Sequence, residues 1–219
     1  MRRTARSLLL CLLGATLGGC ATTGGGHRAP GMVEVSADPG REWKERIDSA
    51  DAARLAALPA RWASALAAAR PRFAAALARE GALLDPTRAL SHPALPPGAY
   101  RCRLVTLGAS GYRSAPPGFC QVGDEGTSQS FARLTGTERP SGWLFPDGDT
   151  RLVFLGAYAT GKARAPVYGA APGRSVPGLV ERIAPFRWRL TLLPAGQASG
   201  LTVYDITPVP AEQQRPAGE

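Results

Sequence analysis

The chain has 219 residues, a net charge of +9 and 44% hydrophobic content, which suits one compact core or a small pair of domains and excludes a large multidomain assembly. No run reaches the length of apolar sequence that a membrane-crossing helix needs, so a polytopic membrane protein is excluded too. The charge comes from 26 Lys+Arg against 17 Asp+Glu, and because only Lys44 and Lys162 are lysines, nearly every cation is an arginine. With 26 glycines and 20 prolines the chain is rich in turn formers.

The first residues read as an export signal. Arg2, Arg3 and Arg6 make a basic start, and the apolar stretch from Ser7 to Leu17 is long enough for a secretion signal but too short to span a bilayer. Leu17-Gly18-Gly19-Cys20 then resembles the lipobox of bacterial lipoproteins. Small residues admit the chain to the signal peptidase, and the Cys20 thiol is the nucleophile that takes up the diacylglycerol. Cleavage before Cys20 removes 19 residues and three arginines, which leaves a lipidated chain of 200 residues carrying +6. Each buried methylene contributes about 0.8 kcal/mol, so the two or three acyl chains of a mature lipoprotein anchor it firmly to the membrane. Ala21 after the cysteine resembles the sorting signal for the periplasmic leaflet of the outer membrane in a Gram-negative envelope.

With Cys11 discarded and Cys20 acylated, Cys102 and Cys120 are left in an oxidising compartment, where one intramolecular disulfide is expected. A bridge over a loop of this length stabilises by about 3 kcal/mol in the chain-entropy model. No CxxC pair occurs, and the only histidines are His27 and His92, so a cysteine nucleophile or a metal site is the weaker reading.

Residues 21–38, with Gly24-Gly25-Gly26 and Pro30-Gly31, read as a flexible tether that includes His27 and reaches roughly 20 to 25 Å. Asp38-Pro39 predicts a helix start, and Trp43, Ile47, Ala50, Leu55 and Leu58 follow at near-helical intervals up to Pro59. Trp62, Leu66, Ala69, Phe73 and Leu77 predict a second helix, ended by Gly81 as a C-cap and kinked or split by Pro71. The short break at Leu58-Pro59 predicts a helical hairpin.

From Pro96-Pro97-Gly98 onward the apolar period changes to two. Strands are expected at Tyr100–Leu107, Phe119–Val122, Ser130–Thr135, Gly142–Phe145, Arg151–Leu155, Leu179–Ile183, Phe186–Leu193 and Leu201–Ile206, separated mostly by Gly, Pro or Asp. Asp147-Gly148 is the best hairpin signal. The fold class expected is therefore α+β: an N-terminal helical hairpin followed by a small antiparallel β-barrel or sandwich. The organisation expected is a leader over 1–19, a tether over 20–38, the hairpin over 39–95, the β domain over 96–208 and a disordered tail over 209–219.

No catalytic set is legible, because neither histidine has a serine and acid arranged with it, and no metal-ligand cluster or phosphate-binding glycine loop occurs. Asp147 and Asp149 flank Gly148 and read as solvated turn residues rather than a paired-carboxylate site. The densest polar group is Glu181, Arg182, Arg187 and Arg189, with Trp188 available to stack on a guanidinium and Arg101 and Arg103 on one side of their strand. Arginine's planar fork pairs with carboxylate or phosphate at two points, which makes these six residues a candidate anion-binding group. The competing reading, and the preferred one, is cross-strand ion pairing. Nucleic acid is not an expected partner, since the charge is spread rather than clustered.

Trp43–Leu58 with Trp62 and Leu66, Gly81-Ala82-Leu83-Leu84-Asp85-Pro86, Pro97-Gly98-Ala99-Tyr100-Arg101-Cys102-Arg103 and Leu107-Gly108 together resemble a proteobacterial family of secreted proteins known as DUF4893, a domain of unknown function. So do Phe119-Cys120, Leu134-Thr135-Gly136, residues 151–156, Glu181-Arg182 and Trp188-Arg189-Leu190. The likeness runs over residues 40 to 208. It implies no reaction, ligand or cofactor; the two sheet cysteines fit its pattern and support the bridge, whereas Pro71 departs from it.

The function expected is that of a cell-envelope lipoprotein acting as a non-enzymatic binding or structural module, with the membrane as partner through its lipid, an envelope protein or an anionic ligand as a further partner, and no cofactor. The alternative is a periplasmic β-barrel that captures an anionic or apolar ligand or a protease loop, by analogy of fold alone. A third, enzymatic reading makes Glu181 an acid or base beside Arg182 and Arg189.

Overall fold

The computed structural model describes residues 43–108, 111–124, 128–171, 173–197 and 199–213. The leader, Cys20, the tether with His27, and the Asp38-Pro39 helix start lie outside these residues, as does the chain after Gln213.

The described chain begins with three helical segments, α1 (Trp43–Arg46), α2 (Ser49–Ala56) and α3 (Leu58–Glu80). The single first helix expected from Trp43 to Leu58 is therefore broken at Ile47-Asp48. Asp48 adopts extended backbone angles, and its carboxylate accepts a 2.8 Å bond from the Asp51 amide, so it caps α2. α3 opens with a proline in its first turn, where the absent N–H costs nothing, and ends at Gly81 with φ 54°. Pro71 kinks α3 without ending it: Phe73 leaves the helical region at φ −127°, ψ 20°. A 3₁₀ turn over Gly81–Leu84 follows.

The remainder is nine strands: β1 (Gly98–Gly108), β2 (Gly111–Ser114), β3 (Gly118–Asp124), β4 (Gln129–Arg133), β5 (Glu138–Pro146), β6 (Arg151–Thr160), β7 (Ser175–Ala184), β8 (Arg187–Leu192) and β9 (Leu201–Pro208). All neighbours are antiparallel. Pairing of β1 with β9, from Tyr100 opposite Pro208 to Leu107 opposite Leu201, closes the sheet into an eight-stranded barrel, so the sandwich alternative is set aside. β2 is an extra short strand: β1 pairs with β3 through its first half and with β2 through its second, along the same edge. Closure leaves the ring without a free edge, which removes the usual route to sheet-to-sheet aggregation.

Alternation along each strand sorts side chains into two cores. One set fills the barrel, including Cys102, Cys120, Phe131, Leu152, Phe154, Val180, Leu190 and Ile206. The other lies on the outer wall, where Val105, Val153, Leu155, Leu179 and Val203 meet Leu58, Trp62, Ala65 and Ala69 of the helical layer. β6 is buried on both faces, which explains the unbroken apolar run Leu152-Val153-Phe154-Leu155. Inside, Gly142 stands opposite Gly156, and a Cβ on either would come within 2.4 Å of the facing backbone. That bare spot admits the Phe154 ring, which meets Phe131 edge-on at 6.1 Å.

The segment before β1 stoppers one end of the barrel. Leu95 is fully buried among the inner residues, the Tyr100 hydroxyl donates to the Pro96 carbonyl, and the Gln129 side-chain amide donates to the Leu95 carbonyl. The Asp147-Gly148 turn forms as a four-residue connection between β5 and β6, with Gly148 at φ 76° and the Asp147 amide donating to the Arg151 carbonyl. Of the residues expected as the tail, 209–213 are described. Val209 is buried and its amide donates to the Ala99 carbonyl, and Gln213 accepts a 2.6 Å bond from Arg101.

Candidate functional site

Cys102 and Cys120 form a disulfide on the inner face, linking β1 to β3 with their Cα atoms 6.0 Å apart. The six residues of the candidate anion group do not gather around one space. Arg189, fully buried, bonds Glu181 directly across the β7–β8 pair at 2.8 Å, donates to the Leu83 and Asp85 carbonyls, and lies 5.1 Å from the centroid of the Trp62 ring. Arg103 forks onto Glu80 of α3 at 2.5 and 2.8 Å and also reaches Asp205, which Arg187 grips from the next strand at 2.8 Å. Tyr112 of β2 donates to Glu80 as well. These hydrogen bonds, foremost from Arg103, hold the Glu80 carboxyl below its ordinary range against the opposing effect of burial.

This seam joins the helical layer to the outer wall of the barrel. Its arginines are spoken for by carboxylates, as in the ion-pair reading; Arg189 is fully buried, whereas Arg103 and Arg187 are partly exposed. Arg101 stands apart, exposed and bonded to Gln213. Arg182 faces Trp188 at the stoppered end, where its carbonyl accepts from the Leu90 amide and its Nε is buried without a hydrogen-bond partner among the described residues.

A different arginine lines the other end of the barrel. Arg133, at the end of β4, sits opposite Cys120 on the inner face and is only 8% exposed. Its Nε donates to the Thr135 carbonyl at 2.8 Å and its Nη1 to the Tyr204 hydroxyl at 2.9 Å, with the guanidinium 5.0 Å from the centroid of the Tyr204 ring. Gly136, at φ 98°, leaves room for it, since a Cβ there would come within 3.4 Å of Nη2. A cavity of about 520 Å³ lies beside this group, lined by Leu104, Thr106, Arg133, Tyr158, Thr202 and Tyr204 from the strands and by residues of the 136–138 and 194–197 turns. Burial raises the pKa of the Tyr158 and Tyr204 hydroxyls, so both are neutral at physiological pH. Gln197 accepts a 2.9 Å bond from Thr202 at the rim.

Chemically this mouth offers a fixed cation, two neutral phenols and threonine hydroxyls around a partly apolar hollow. Such a set can hold and orient a small molecule. Arg133 is not legible as a site in the sequence because it stands alone between Ala132 and Leu134, away from the densest charge. Its isolation was the available signal: in Phe131-Ala132-Arg133, the arginine shares a strand face with a phenylalanine.

The fold and the site thus define a closed, eight-stranded antiparallel barrel, stoppered at one end and hollow at the other, with a helical layer on its wall. The chain belongs to the DUF4893 family, a domain of unknown function, whose model matches residues 43–206. No curated protein and no solved structure matches it.

Proposed function

We propose that the protein is a lipid-anchored envelope protein, held at the periplasmic leaflet of the outer membrane through Cys20, whose barrel acts as a non-enzymatic module that binds a small molecule in its mouth. The observation that carries the reading is the mouth cavity with Arg133 buried in its wall. Its volume falls in the range of small-molecule sites, and inward-facing polar groups converge on it. The basic start, short apolar stretch and Leu17-Gly18-Gly19-Cys20 support the anchor.

Protein extracted from its own membranes in mild detergent should carry a small-molecule adduct in native mass spectrometry, and Thr106→Trp, which fills the mouth, should remove it. Protein that carries no adduct, and that no member of a small-metabolite panel stabilises to heat, would sink the binding reading. Cys20→Ala should move the protein out of the membrane fraction, and its retention there would sink the anchor.

A further inference from the structure

We infer that the mouth recognises a small organic monoanion, with a carboxylate seated on the Nη1/Nη2 edge of Arg133. This deepens the binding reading above and rests on it. Three observations lead to it, beginning with the missing counter-charge. Arg103, Arg187 and Arg189 each have a carboxylate oxygen within 2.8 Å, whereas Arg133, more withdrawn from water than Arg103 or Arg187, has no carboxylate partner among the described residues. A buried charge is tolerated when it is paired, so an unpaired one beside a cavity marks the place where a counter-ion enters.

The second observation is the donor inventory. A guanidinium has five N–H groups. Nε is used by Thr135 and one Nη1 hydrogen by Tyr204, and Nη2 has no partner among the described residues. What is left unused is an Nη1/Nη2 edge, the fork that takes a carboxylate at two points.

The third is the charge count around the cavity, which decides between one negative charge and two. Among the described residues Arg133 is the only cation lining it, and Glu138 at the exposed rim is an anion. The Tyr158 and Tyr204 phenols contribute neutral donors. A dianion would meet one positive charge and the stronger repulsion from Glu138, whose charge is felt at the Tyr158 and Tyr204 hydroxyls, while a monoanion neutralises Arg133 and meets less of that repulsion. Leu104 and the tyrosine rings then contact the apolar body of the ligand, and Thr106 and Thr202 accept or donate hydrogen bonds to it.

The test is calorimetric titration of the full lipidated chain in detergent with benzoate, its neutral isostere methyl benzoate, and phenyl phosphate at pH 8. Benzoate should bind, methyl benzoate should not, and phenyl phosphate should bind at least tenfold more weakly than benzoate. Arg133→Gln should weaken benzoate at least tenfold, and Arg133→Lys should recover part of the loss. Equal binding of benzoate and methyl benzoate, or a Gln variant within twofold of wild type, overturns anion recognition and leaves mouth binding intact. Tighter binding of phenyl phosphate overturns the monoanion assignment. If no probe binds while membrane-purified protein carries an adduct, the carboxylate assignment fails and the binding module stands; if the adduct is missing too, both fail. Should Arg133→Gln not fold, the wild-type comparison of benzoate with its methyl ester still decides.

Discussion

Removing the Glu181 carboxylate tests whether the buried seam holds the helical layer to the barrel. In Glu181→Ala, the fully buried Arg189 loses the one carboxylate that it bonds among the described residues, on a side chain that is 14% exposed. Deleting one partner of a buried pair costs about 3 to 5 kcal/mol, because the remaining charge is left uncompensated. Arg189 keeps two carbonyl acceptors, on Leu83 and Asp85, and its face on Trp62, which places the expected loss at the low end, about 3 kcal/mol. For a chain of this size that lowers the melting temperature by about 6 to 12 °C. Urea unfolding followed by circular dichroism measures the loss, and tryptophan fluorescence reports the Trp62 neighbourhood. The pair of changes Glu181→Leu with Arg189→Met sharpens the test. Replacing a buried ion pair by apolar residues is often neutral or better. Here the exchange also strips a donor from two carbonyls, at about 1 kcal/mol each, so the double variant should stay about 2 kcal/mol below wild type. A single variant within about 0.5 kcal/mol of wild type would refute the argument, since a free surface substitution costs no more than that.

The Glu80 carboxyl, held low chiefly by Arg103, predicts a pH effect of definite sign. Its stabilisation is complete above the ordinary value of 4.5 and is lost as pH falls through the lower native value. Glu80→Gln should therefore flatten the acid limb of the stability profile below that pH in urea titrations, and an unchanged limb would remove Glu80 from the account. Replacing Cys102 and Cys120 by alanine opens a loop with a sequence separation of 18, at a cost of about 3 kcal/mol measured as a shift in urea midpoint. Because Cys120 is the cross-strand neighbour of Arg133, benzoate should also bind more weakly to that variant, and full retention of affinity would separate the bridge from the mouth.

How far the sequence disclosed this molecule depended on which interactions are local. Strand positions follow from apolar alternation, which a chain displays without knowing its neighbours, and so Tyr100–Leu107 and Leu201–Ile206 were legible. Their pairing with one another, which closes the barrel, joins the two ends of the β region and leaves no local trace. The strands expected from Gly142 and Leu179 begin earlier in the structure, and their added residues include Pro140 and Pro177, which lie within ladders, opposite Tyr158 and Leu155. β2 escaped because four residues between turns display no period. The Ile47-Asp48 break escaped for the opposite reason: the apolar spacing of Trp43, Ile47 and Ala50 runs through it, and the cap that Asp48 makes outweighs continuity of the helix.

The two arginine environments differ for a reason that the fold itself provides. On the outer wall, α3 and the 3₁₀ turn lie over Arg103 and Arg189, which leaves Arg189 sealed from water and Arg103 partly so, and fixed anions compensate both. Three fixed anions are there: Glu80 from the helix, Glu181 from β7 and Asp205 from β9. At the mouth the strands end and the covering layer is missing on one side, so compensation can be exchanged rather than built in. A sequence that supplies carboxylates to Arg103, Arg187 and Arg189, and none among the described residues to the cation beside a cavity, has separated the arginines that hold the protein together from the one available to something else. By that criterion Arg133, rather than the denser group from Glu181 to Arg189, is the residue whose replacement should alter binding while leaving the helical layer in place.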